Sequence, residues 1–169
     1  MAACLLMATL SVCAQTHEKD SLRVINLQEV EVISTRATGT TPVAFTNVSK
    51  EQLKKQNFGQ DLPYLLSMIP SAITTSDAGA GIGYTTLRIR GTDGTRINVT
   101  ANGIPINDAE SHTVFWVNLP DFASSVKDLQ VQRGAGTSTN GAGAFGGSIN
   151  MQTGDFSLKP YAEINASYG

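Results

Sequence analysis

Past a short apolar run at its start, the chain repeats its hydrophobic positions mostly every second residue, the period of extended backbone. Residues 27–37 (LQEVEVISTRA) set Val30 and Val32 against Glu29 and Glu31, a strand with one apolar edge. It lies between polar flanks with no obvious neighbour, so it reads as a template for pairing with another protein's sheet; an edge strand of the domain's own sheet is the alternative. Residues 43–48 read as a strand that runs into Ser49-Lys50-Glu51-Gln52, a capping box, and so into a short helix to about Gln56. Asp61 is placed to cap a second helix, with Pro63 in its first turn, Leu62, Leu65, Leu66 and Ile69 on one face, and Pro70 ending it.

Strands follow. Residues 85–91 (TTLRIRG) put Leu87 and Ile89 on one face and Arg88 and Arg90 on the other. Residues 96–101 and 104–106 flank Asn102-Gly103, a hairpin signal because a type I′ turn needs positive φ at both positions, and Pro105 confines the return strand to an edge. Residues 127–134 alternate Leu129 and Val131 with Gln130 and Gln132, and residues 147–153 bring Ile149 and Met151 to one face. The sum is an α+β fold, a small mixed sheet with two or three short helices.

Composition narrows the class. Only 15% of the 169 residues are charged, the net charge is -2, and no basic stripe marks a nucleic-acid partner. The apolar run at 2–14 is too short to span a bilayer and ends Val12-Cys13-Ala14, so residues 1–14 read as an export signal cut before Gln15. Both cysteines, Cys4 and Cys13, fall inside it, which leaves no thiol for a structural disulfide or zinc site in the exported chain. Residues 15–26 are a polar leader. Twelve of the 16 glycines lie between Gly79 and Gly147, so the loops at 76–84 and 135–146 are either mobile or packed tightly on another surface. The run 141–146 (GAGAFG) matches a dinucleotide fingerprint, yet a strand-like stretch follows where a helix is needed. Asp108, Glu110 and His112 have the spacing of a metal site, but Asn107-Asp108 reads more simply as an Asx turn. No catalytic, metal or cofactor residues emerge.

Residues 161–169 (YAEINASYG) alternate apolar and polar side chains with tyrosines near both ends, as a membrane β-barrel strand does; an edge strand of a soluble sheet is the alternative. The pattern stops mid-strand at Gly169, so the sequence is expected to be a fragment. Taken with LSMIPSA, LRIRGTDGTRINVTANGIPIND, VQRG and GAGAFGGSINMQT, met in that order after LQEVEVISTRA, it makes the chain resemble the plug domain of a TonB-dependent outer-membrane receptor, and the runs RIRGTDGTRINVT and ESHTVFWVNLPDF are most similar to its ferric-citrate and siderophore branch.

The resemblance implies a plug at 42–158 followed by the first strand, at 159–169, of a barrel of about 22 strands. It implies a periplasmic leader at 15–41 whose residues Leu27, Gln28, Glu29, Val30, Glu31, Val32 and Ile33 form the TonB box, captured by the C-terminal domain of TonB. Arg90 and Arg133 match the plug arginines that pair with barrel glutamates; the family's second motif reads E-R-G, whereas this chain has Gln132 before Arg133. The ligand-facing candidates are Thr75, Ser76, Tyr84, Arg96, His112, Phe115 and Trp116, and packing of their loops on the barrel wall is the alternative role. The implied activity is energised uptake across the outer membrane, not enzymatic, with an iron chelate as ligand and haem, cobalamin or a glycan as alternatives. The implied partners are TonB, the barrel, the ligand and outer-membrane lipid. A periplasmic nucleotide-cofactor protein is the reading from another class.

Overall fold

The computed structural model describes residues 36–141 and 143–154, with the isolated positions 160, 162 and 164. The expected export signal and TonB box lie outside the described residues, as does the expected barrel strand apart from those three positions.

The first strand, β1 (Ala44–Ser49), runs directly into α1 (Lys50–Gln56) through the predicted capping box, with Gln52 Oε1 accepting from the Ser49 N–H at 3.0 Å. Lys54 and Lys55 fall in the last turn, where cations meet the negative end of the helix dipole. Leu53 is the one fully buried side chain of this helix and pins it to the sheet. The second helix, α2 (Leu62–Leu65), is shorter than predicted, because residues Leu66–Met68 tighten into a 3-10 turn and Ile69 is extended. Pro70 explains this: its ring disfavours helical backbone at the residue before it. Asp61 occupies the cap position, but its carboxylate does not cap. It is buried at 2% exposure and accepts from Thr85 Oγ1 at 3.0 Å, which fastens α2 to the following strand pair.

That pair is β2 (Ala72–Ser76) and β3 (Thr85–Ile89), antiparallel and separate from the main sheet. The expectation of a single mixed sheet is corrected here. β2 escapes sequence reading because its inward positions are Ala72, Thr74 and Ser76, while its one large apolar residue, Ile73, faces out. The main sheet comprises β1, β4 (Ile97–Ala101), β5 (Ile104–Pro105), β6 (Val126–Arg133) and β7 (Gly147–Thr153) in the order β1-β6-β7-β4-β5. All neighbours are antiparallel except β4 and β7. Asn102 and Gly103 have φ of 51° and 81°, the predicted type I′ turn, and β5 with Pro105 is an edge.

The two faces of this sheet differ in chemistry but not in burial. One face carries Ile97, Val99, Leu129, Val131, Ile149 and Met151, which close a core with Leu53, the α2 leucines, Leu87, Ile89 and Trp116. The other carries Thr100, Gln130, Gln132, Ser148 and Asn150, every one of them also buried. Their side chains bond laterally: Thr100 Oγ1 donates to Asn150 Oδ1 at 2.6 Å, Gln132 Nε2 to Gln130 Oε1 at 3.0 Å, and Asn140 Nδ2 to Gln132 Oε1 at 2.8 Å. Buried polar groups need partners, and this layer supplies most of them within itself, Ser148 Oγ and Asn140 Oδ1 being the exceptions.

Candidate functional site

Arg90 sits in a hairpin turn formed by Ile89, Arg90, Gly91 and Thr92. Ile89 and Thr92 exchange both backbone hydrogen bonds, at 3.0 and 3.2 Å, while Arg90 and Gly91 take φ of 52° and 79°. The first of those positions favours Asn, Asp or Gly, and a large side chain held there is uncommon enough to point to a use for it. The Arg90 N–H donates to Ser71 O at 2.9 Å, and its guanidinium lies across Gly134, where a Cβ would stand 2.5 Å from Nη1. Arg133 reaches the same place from β6: Nη1 donates to Pro70 O at 3.3 Å and Nη2 to Phe45 O at 3.4 Å, while its Nε is buried with no hydrogen-bond partner among the described residues. Two arginines 43 positions apart in sequence thus converge on the Pro70-Ser71 turn and Gly134, and no described carboxylate forms a salt bridge with either. Gln132 does not take the place of a local acid beside Arg133; its amide faces the polar layer, on the opposite side of the strand's alternation.

The ligand-facing candidates fall into two groups. Thr75, Ser76 and Tyr84 bracket the loop that joins β2 to β3: Thr75 shares a hydroxyl hydrogen bond with Thr86 at 2.5 Å, Ser76 Oγ accepts from the Gly81 N–H, and Tyr84 is 67% exposed. Arg96 and His112, which follow the other end of β3, line one concavity of about 540 Å³ and mixed character together with Ile97, Asn98, Asn107 and Gly143. Phe115 is half exposed, but Trp116 is buried in the core and borders a smaller, mainly apolar gap between β3 and β4. Trp116 therefore presents little surface to solvent in this structure, 5% of its area.

Asp108 forms the expected Asx turn, its Oδ2 accepting from the N–H groups of Glu110 and Ser111 and from Ser111 Oγ. Those bonds, the Ser111 N–H foremost, hold the carboxyl below its ordinary range. Asp93 is lowered in the same way by the Thr95 hydroxyl and N–H. Among the described residues no group of three or more His, Cys, Asp or Glu could hold a metal ion. The glycine-rich run leads into β7 rather than a helix, so it presents no helix N-terminus to a pyrophosphate. Its last glycine, Gly146, and the Gly147 that follows serve packing: a Cβ on Gly147 would meet Gln132 O at 2.6 Å, and one on Gly146 would collide with the Thr92 side chain.

Sequence reading missed the buried amide layer. The available signal was its neutrality, since a solvent face of β6 and β7 carries Lys and Glu more readily than the Gln, Ser and Asn found in LQVQ and SINMQ.

Comparison with known proteins places this geometry. The family model described as the TonB-dependent receptor plug domain matches residues 37–148. No curated protein sequence matches the chain. Among solved structures, it is similar to the siderophore receptor PirA from Acinetobacter baumannii (23% identity, 67% of this chain and 17% of that one, TM-score 0.54). It is also similar to the ferric enterobactin receptor PfeA of Pseudomonas aeruginosa in complex with BCV-L6 (22% identity, 71% and 18%, TM-score 0.53). A third is the ferric yersiniabactin uptake receptor FyuA from Yersinia pestis (18% identity, 72% and 18%, TM-score 0.50). At these identities the likeness is one of fold, and the chain spans less than one fifth of the length of each.

Proposed function

The chain belongs to the TonB-dependent receptor plug domain family, and from that premise we propose that it gates an outer-membrane transporter that takes up a scarce small ligand, an iron chelate of the siderophore or citrate type. The observation that carries the reading is the pair Arg90 and Arg133, brought together on one turn with no described acid to neutralise them. Two cations so placed suit carboxylates supplied by a surrounding wall, and Arg forks match carboxylates in bidentate fashion. The barrel glutamates of the same receptor are those partners.

In this function the protein performs no covalent chemistry. A chelate arriving from outside meets the exposed candidates Thr75, Tyr84, Arg96, His112 and Phe115, with the Arg96 and His112 concavity offering positive charge and donors to its oxygens. Residues 27–33 act as the TonB box, which TonB captures by adding a strand, so that work done at the inner membrane reaches the plug. The iron-chelate assignment draws support from the siderophore receptors among the similar folds.

The test is Val30→Pro in the full-length receptor. Proline removes a backbone donor from the captured strand and fixes its φ. Energised uptake is expected to vanish while chelate affinity stays within about twofold of wild type, a change of about 0.4 kcal/mol. Unchanged uptake would refute the assignment.

A further inference from the structure

We propose that residues 36–43 form a releasable strap, clamped to β6 by Gln130 and Asp128, which keeps a pull on the chain's N-terminal segment from reaching β1. The clamp has two parts. Arg36 Nη1 pairs with Asp128 Oδ1 at 2.5 Å, both side chains mostly buried. One residue on, the Ala37 N–H donates to Gln130 Oε1 at 2.7 Å and Ala37 O accepts from Gln130 Nε2 at 2.9 Å, so a side-chain amide grips the backbone as a neighbouring strand does. Gln130 Nε2 also donates to Asn47 Oδ1 on β1, and its Oε1 also accepts from Gln132. The two donors and two acceptor sites of this amide are then all in use, which fixes its orientation.

The route of the chain gives the clamp its role. Ala37 is held at Gln130, the chain turns back through Thr38 and Thr41, and it enters β1 at Ala44, opposite Arg133. Asp128 lies opposite Ser49, at the far end of the same ladder. A pull applied before residue 36 therefore loads Asp128 and Gln130 first. These belong to β6, which is paired on both sides and so resists displacement. Once the clamp opens, tension passes to Ala44, and the six pairs of the β1 and β6 ladder can peel one at a time from that end. Gln130 is thus a positioning residue that sets the order of release. The proposed function enters only as the source of the pull.

The experiment is single-molecule extension of the full chain, held through its N-terminal segment and through a handle placed after β7. Wild type should show a first lengthening of about 18 Å before β1 peels: eight residues reach about 28 Å when extended, and about 10 Å is already spanned along β6 from Gln130 to Arg133, where Ala44 enters. Gln130→Met, similar in size but without the amide, should lose that step, and Arg36→Ala should lower the force at which it occurs. In parallel, hydrogen exchange at the Ala37 amide should rise roughly tenfold in Gln130→Met, with β6 and β7 amides unchanged. Persistence of the step in Gln130→Met, or unchanged Ala37 exchange in both variants, would overturn the strap. Arg36→Ala, at the margin of the layer, keeps the test open should Gln130→Met fail to fold. Failure of the Val30→Pro uptake experiment would bear on the transporter reading alone.

Discussion

Gly147→Ala puts the packing of the two sheets to a quantitative test. The added Cβ would stand 2.6 Å from Gln132 O and 3.1 and 3.4 Å from two methyl carbons of Ile89. Retreat is blocked on each side. Gln132 O belongs to the strand paired with β7, and Ile89 is fully buried against it. Relief requires the β6 and β7 backbones to shift apart at Gln132 O and Ile89 to give by a few tenths of an ångström, so the substitution should cost about 2 to 3 kcal/mol, the upper part of the range for overpacked cores. Urea unfolding followed by the fluorescence of Trp116, the single tryptophan and a member of this core, measures it directly. With a slope of about 1.5 kcal/mol/M, the midpoint should fall by roughly 1.3 to 2 M. Gly143→Ala is the internal control, because a Cβ there meets nothing within 4 Å; its stability should stay within about 0.5 kcal/mol of wild type. Equal midpoints for the two variants would refute the claim that close approach, rather than loop mobility, explains the last glycines of the run.

Two further outcomes are expected. Replacing Arg90 and Arg133 together by Ala in the full-length receptor should admit small antibiotics through the barrel, and unaltered sensitivity of the host cells would count against their anchoring role. Because hydrogen bonds from Ser111 and Glu110 depress the folded-state pKa of Asp108, the turn they form is held together above the ordinary carboxylate value and loosens as pH falls through the depressed one. A carboxyl-carbon NMR titration should therefore place the Asp108 midpoint below 3.8, with the Ser111 amide shifting in step, and a midpoint at or above 3.8 would remove the turn as its cause.

The fold was legible wherever local chemistry and burial agree. The capping box at Ser49, the turn at Asn102-Gly103, the edge position of Pro105 and the alternation of Leu129, Val131, Ile149 and Met151 each predicted the element observed. It was illegible where burial is met by small or polar residues. β2 buries no large side chain, and Gln130 and Gln132 look in sequence like a solvent face although exposures of 2% and 1% place them inside. The Asp61 carboxylate was drawn from its capping role by Thr85, 24 residues away, a partner that no local pattern reveals. At the candidate site, Arg90 and Arg133 could be matched to family motifs, whereas their convergence on Pro70-Ser71 depends on the pairing of β2 with β3 and of β1 with β6. Trp116 was grouped with ligand-facing loop residues because it ends the loop at 107–116; three-dimensional packing places its side chain in the core.

The amide-lined face of the main sheet bears on how such a domain can come apart and close again. An apolar surface laid bare by a departing segment adheres to whatever is near, and it recovers its partner only in competition with aggregation. Gln130, Gln132, Asn150 and Thr100 instead exchange one another for water on nearly even terms, since each protein hydrogen bond lost is replaced by one to solvent. The oily face, with Leu129, Val131, Ile149 and Met151, stays sealed beneath the helices. A seam that wets without becoming sticky can be opened and reseated through many cycles.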